Sequence, residues 1–308
     1  MPVLGGVPQP QRDSTGAVVG PPVVDGDGPL REAVSRLDAD VIGLQEVDVA
    51  QPRSGRAHQV RAVAEALDAP FWVFAPSVLG TPGEPGWSPA TSALDHAVDP
   101  VHARHDSSGA PAAAGGAADP GGDDAGADLR AAMLPGADGP RLYGVGLVSR
   151  RPVLEWRTTR FDPAPFGLPL LVPAQPRPRF VHVPDEPRAA IAAVVSGERG
   201  PFTVATAHLS FVPGYNVRQL RRLRAWLDDL PRPVVLLGDF NLPGVIPARV
   251  TGWTPLLRAA TYPSMRTRAQ LDHVLADGLT EQQRVSARPE VHLLPVSDHA
   301  AVTVDVDL

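Results

Sequence analysis

The 308-residue chain contains no cysteine. Disulfides, Cys-ligated zinc, iron–sulfur clusters and thiol catalysis are all excluded, so a metal would have to be held by oxygen and imidazole, a donor set that favours Mg²⁺ or Mn²⁺. Lysine is absent too, so all 28 basic residues are arginine. With abundant Ala, Gly and Pro, this reads as GC-rich coding bias. Long apolar runs are also missing, and none approaches the roughly 18 residues that a membrane helix needs. The N-terminal Met1-Pro2-Val3-Leu4-Gly5-Gly6 lacks the basic start and apolar stretch of a secretory signal. The expectation is therefore a cytoplasmic protein with no membrane span, and a monomer. A net charge of −6 argues against a broad grip on duplex DNA, which needs a basic face to displace counterions. Arg218, Arg221, Arg222 and Arg224 form the best local patch, and a solvated helix face accounts for it.

Apolar periodicity organises most of the chain. Helical spacing covers 30–37, 58–68 and 215–229, the last with Val217, Leu220, Leu223 and Leu227 on one face. Short apolar runs predict strands at 41–44, 71–74, 143–149, 153–159, 189–195, 202–207, 234–237, 271–276, 291–294 and 301–306. From about 76 to 140 the pattern fails. Residues 107–128 are all Gly, Ala, Pro, Ser and Asp, which predicts a disordered surface insertion. Its neighbours His96, His102 and His105 are not read as a metal cluster. The Pro-rich stretch 162–187 reads as a long ordered loop. At 308 residues the chain lies near the upper limit for one core, so one large domain or two small ones are the choices.

Five strand-like runs carry or end in a polar group: Gln45-Glu46, His208, Gly238-Asp239-Phe240-Asn241, Asp272 and Ser297-Asp298-His299. Rigid strand ends are where a scaffold can present chemistry. Each has a bland alternative: Glu46 as an exposed strand terminus, Asp239 as an Asx-turn residue, His208 as a hydrogen-bonded core histidine. Asp272 is harder to dismiss, since a carboxylate within a strand is costly to bury unpaired. Together they supply what phosphodiester hydrolysis needs: a hard cation, an activated water, donors for the equatorial oxygens and help for the leaving group.

The ordered Gln-Glu, Gly-Asp-Phe-Asn and Ser-Asp-His motifs resemble the endonuclease/exonuclease/phosphatase superfamily, with its DNase I-like fold. The resemblance runs from about residue 30 to the end, which implies an atypical N-terminus over 1–29 followed by one domain over 30–308 with a low-complexity insertion at about 76–140. The resemblance implies an α/β fold, a four-layer α/β/β/α sandwich of two mostly antiparallel sheets, and a phosphoesterase using Mg²⁺ or Mn²⁺ on a phosphate ester, nucleic acid among the candidates. It implies Glu46 as a metal ligand, with Asp298 completing the metal shell directly or through water. Asp239 would orient or deprotonate the attacking water. Asn241 and His208 would hold phosphate oxygens, and His299, supported by Asp272, would stabilise the transition state or assist the leaving group. Arg150 and Arg218 are candidate substrate-contacting or site-supporting residues. Family members also begin with a strand ending in Asn. Residues 1–29 contain no Asn and are Pro/Gly-rich, so the expectation is a mis-assigned start or a lost inner strand. A lost strand would leave the alternative of a non-catalytic phosphate-binding or interaction module on the same scaffold.

Overall fold

The structure, a computed structural model, describes residues 27–91, 139–169 and 180–308, and the backbone alone of 3–4, 11–12, 18–19, 170–172 and 179. In chain order its elements are β1 (Val3–Leu4), β2 (Gln11–Arg12), β3 (Val18–Val19), α1 (Gly28–Ser35), β4 (Val41–Val49), α2 (Gln59–Ala66), β5 (Phe71–Leu79), β6 (Ser88–Pro89), β7 (Leu142–Ser149), β8 (Val153–Phe161), β9 (Leu168–Val172), β10 (Arg179–Val183), β11 (Arg188–Gly197), β12 (Gly200–Ala207), α3 (Tyr215–Trp226), β13 (Val234–Asp239), α4 (Ile246–Thr251), β14 (Thr254–Pro255), β15 (Asp272–Asp277), α5 (Glu281–Ser286), β16 (Arg288–His292) and β17 (Ala301–Asp305).

Two large sheets run in the orders β16-β17-β1-β4-β7-β5-β6 and β14-β15-β13-β12-β11-β8. Each holds one parallel pair, β1 with β4 and β12 with β13, and is otherwise antiparallel. Three apolar cores separate four layers. Leu30 and Val34 of α1 and Val60 and Val63 of α2 pack on Ile42, Leu44 and Phe74 of the first sheet. Between the sheets, Val41, Val73 and Leu147 meet Ile191, Val204, Val235 and Leu237. On the far side Leu220 and Leu223 of α3, with Leu227 just after it, cover Val234 and Leu236. This is the α/β/β/α sandwich. Strands covered on both faces have no solvent side to alternate with, so they read as continuous apolar runs. In α3, leucines at helical spacing bury one face while Arg218, Arg221, Arg222 and Arg224 stay exposed, the solvated-face reading of that patch.

Three expectations need correction. The N-terminus does supply an inner strand: Val3 pairs with Gly43 on one side and Val302 on the other, and Leu4 with Leu44. Two adjacent apolar residues suffice because β4 and β17 both offer backbone groups to pair, and no Asn accompanies them. The order also continues past Pro76, since β5 runs to Leu79 and its turn returns through β6, with Thr81 and Ala90 buried. The insertion expected at 107–128 lies outside the described residues, as do His96, His102 and His105. Finally, the Pro-rich stretch holds the antiparallel β9–β10 hairpin, in which Pro169 is tolerable because each strand of a two-stranded ribbon is an edge.

Gly238 sets the spacing at the end of the second sheet. Its φ of +143° disfavours any side chain, and a Cβ there would lie 2.0 Å from the Ala207 carbonyl oxygen. The absence of that carbon lets β12 and β13 close up just before His208 and Asp239. Gly238→Ala is expected to cost about 2–6 kcal/mol by summing overpacking and backbone strain. Urea unfolding that leaves the midpoint unchanged would contradict this.

Candidate active site

The polar groups gather at one end of the sandwich, where β4, β12, β13 and β15 deliver their side chains. In β4 the register slips between Leu44 and Val47, and within that bulge Glu46 takes a left-handed φ of 56°. A bulge re-aims one side chain without ending the strand, so Glu46 turns to the site while β4 continues to Val49. Its neighbour Gln45 is buried and donates from Nε2 to Thr206 Oγ1 across the sheet interface at 2.7 Å, tying β4 to β12 behind the site. Burial, then the charge of Asp298, holds the Glu46 carboxyl above its usual range.

His208 follows β12 and Asp239 ends β13. The Asp239 Oδ1 accepts the Asn241 backbone N–H at 2.8 Å, closing an Asx turn in which Asn241 also takes a left-handed φ, 49°. Asn241 Nδ2 donates to the Leu209 carbonyl at 3.0 Å and lies 3.3 Å from His208 Nε2. Asn216 of α3 in turn donates to the Asn241 carbonyl at 3.0 Å. The other Asp239 oxygen sits 3.7 Å from His208 Nε2 and 3.9 Å from His299 Nε2, so this carboxyl lies between two imidazoles.

Asp272 faces Asp239 directly in the β13–β15 register. It is fully buried, and its Oδ2 is 2.8 Å from His299 Nδ1. Burial alone would lower the His299 pKa, but the hydrogen bond and charge of Asp272, with Asp239 and Asp298, raise it to about 10. Asp239 moves the other way from an ordinary acid: burial, then repulsion by Asp272, pushes its pKa up to about 7. His208 is held below the usual histidine range by burial, by Arg188 and by His299.

Seven of the nine residues singled out from sequence therefore meet at one end: Glu46, His208, Asp239, Asn241, Asp272, Asp298 and His299. Arg150 does not. Its backbone N–H bonds the Asp40 carbonyl at the start of β4, and its guanidinium holds the Leu67 carbonyl and Asp38, at the opposite end of the strand from Glu46. Arg218 is exposed on α3, and the buried helix residues that reach the loop after His208 are Asn216 and Gln219, whose Oε1 accepts the Ser210 N–H.

Two site residues carried no motif. Arg188 opens β11, is buried, and places Nη1 3.1 and 3.2 Å from the His208 ring nitrogens while pairing with Asp185 at 3.6 Å. A lone charge opening the apolar run Ala189–Val195 was the signal available. Tyr262 packs against His299 with ring centroids 4.7 Å apart.

The Endonuclease/Exonuclease/phosphatase family profile matches residues 24–299. The chain belongs to this family. Its members are typically phosphate-ester hydrolases that use divalent metals. No curated protein matches the chain by sequence. Among solved structures, an endonuclease/exonuclease/phosphatase protein from Beutenbergia cavernae is similar at 16% identity and TM-score 0.52, covering 100% of this chain and 71% of that one. A mannosyl-6-phosphatase from Bacteroides thetaiotaomicron aligns at 14% identity and TM-score 0.49 over 100% of both chains. The Beutenbergia likeness is one of fold, and that fold is DNase I-like. No helix among the described residues is long and apolar enough to cross a membrane.

The donor set bears on the family's metal. Among the described residues no three His, Asp or Glu side chains close into a cage for a metal ion. Mg²⁺ does not require one, since it commonly keeps several waters and binds through one or two carboxylates plus substrate phosphate. Glu46, re-aimed by its bulge, and Asp298 at the same end of the sandwich are carboxylate oxygen donors, the chemistry that a hard cation takes. The residues present fit the group.

Proposed function

We propose that the protein is a divalent-metal-dependent phosphoesterase that hydrolyses a phosphodiester or phosphomonoester by attack of an activated water. The observation that carries this is the Asp239 carboxyl, raised to about 7 and set between two imidazoles, one of which Asp272 keeps cationic. A general base works best with a pKa near the working pH, so Asp239 orients a water and takes its proton. His299, protonated up to about 10, faces the same carboxyl and donates towards the developing charge or the leaving oxygen. Asn241 and His208 hold phosphate oxygens. His208, kept neutral beside Arg188, does so with an N–H dipole rather than a full charge. Glu46 and Asp298 would hold the divalent cation, which supplies charge stabilisation at a phosphate oxygen when bound.

The expected result is release of p-nitrophenolate from bis-p-nitrophenyl phosphate or p-nitrophenyl phosphate with Mg²⁺ or Mn²⁺. Activity should stop in EDTA and return when the metal is restored. Undiminished turnover in EDTA would overturn the metal requirement. No hydrolysis of these esters, DNA, RNA, phosphoinositides or sphingomyelin would overturn the enzyme itself.

A further inference from the structure

Tyr262 occupies a position that the hydrolytic machinery does not use. One part of its ring packs on the His299 imidazole at 4.7 Å and a tilt of 43°, yet the residue remains 36% exposed. A large aromatic beside a buried dyad would be expected to finish its burial, and here an open part of the ring is left next to the His299 imidazole.

The loop that carries it is held firmly. Tyr262 and Ala269 exchange backbone hydrogen bonds at 2.9 Å in both directions, and Arg268 N–H adds another to the Tyr262 carbonyl. Ser264 donates from its backbone to the Asp298 carbonyl at 2.6 Å and from its hydroxyl to the Ser297 carbonyl at 2.9 Å. Buried Thr261 accepts N–H bonds from Leu271 and Asp272 on its hydroxyl. The loop is thus fastened to Asp272 and to the residues on either side of His299, while it presents Met265 at 95% exposure. A segment this well hydrogen-bonded does not expose apolar side chains for want of order.

We infer that Tyr262 is a specificity-determining residue whose open ring receives the leaving group beside His299, and that it selects esters whose leaving group carries a flat aromatic ring. The inference rests on the phosphoesterase reading of the site. One face of the Tyr262 ring orients His299, and the open part stacks on the leaving group as His299 donates to its oxygen.

The test uses benzylphosphonate and cyclohexylmethylphosphonate as competitive inhibitors of bis-p-nitrophenyl phosphate hydrolysis by the full chain. In each, a methylene stands where the ester oxygen would be, and the two rings differ in flatness rather than in size. Benzylphosphonate should bind about five- to tenfold tighter, the size of an aromatic pair contact. Tyr262→Phe should keep that ratio and Tyr262→Leu should lose it. A merely structural Tyr262 would instead change kcat for every substrate and leave the inhibitor ratio alone. Equal inhibition of the wild-type protein by both compounds would overturn the inference without requiring any variant to fold, as would an unchanged ratio in Tyr262→Leu. Absence of hydrolysis altogether is a different result and strikes the phosphoesterase reading.

Discussion

Asp239→Asn is expected to lose turnover by roughly 10²–10⁴-fold, the range for a positioned general base, and yet to be more stable than the wild type above pH 7 in EDTA. The first effect follows because an amide cannot take a proton from water. The second follows from the cost of ionising Asp239 where it is. Its folded pKa is about 7 against 3.8 for the ordinary side chain, so the folded protein holds this proton to higher pH than the unfolded chain does. The favourable contribution is fully present below about pH 4 and is lost as pH rises to about 7. Above that, the ionised carboxylate costs on the order of 4 kcal/mol, from about 3 pKa units at 1.36 kcal/mol each. Asn removes the ionisation and can still accept the Asn241 N–H on its Oδ1. Urea unfolding at pH 4 and pH 8 should show the variant near parity at the first and clearly ahead at the second. Equal stability at pH 8 would mean that Asp239 is not held above its usual range.

That trade-off shows what was legible in the sequence. The layers announce themselves because burial on both faces forces near-continuous apolar runs such as Val234–Leu237, and because Leu220, Leu223 and Leu227 repeat at helical spacing. The seven residues that the structure brings together stood out since each interrupts or ends such a run with a polar group. What stayed hidden depends on distant partners. Val3–Leu4 is a strand only because Gly43 and Val302 flank it. Glu46 reads as a strand end, whereas a bulge aims it mid-strand, and a bulge is a property of the pairing with β7. Arg188 and Tyr262 are ordinary in sequence and acquire meaning from the imidazoles they touch. Arg150 and Arg218 went the other way: their local context matched, but one lies at the wrong end of β4 and the other on the solvent face of α3.

Asp272→Asn tests the other half of the site, with its effect read as a function of pH. Asn can keep a hydrogen bond to His299 Nδ1 but not the negative charge, so burial is left to draw the imidazole pKa down from about 10. For the wild type, a histidine whose folded pKa is raised contributes stability that is complete below about 6.5 and is lost as pH climbs through about 10. Breaking a buried pair from one side costs about 3–5 kcal/mol, so the variant should trail by that order at pH 6 and close the gap towards pH 10. Activity should diverge in the opposite sense. The wild type keeps its cationic donor to about pH 9, while the variant sheds it near neutrality and falls progressively further behind between pH 6 and 9. Parallel pH–rate profiles, or a stability difference that does not shrink with rising pH, would show that His299 owes neither its charge nor its role to Asp272.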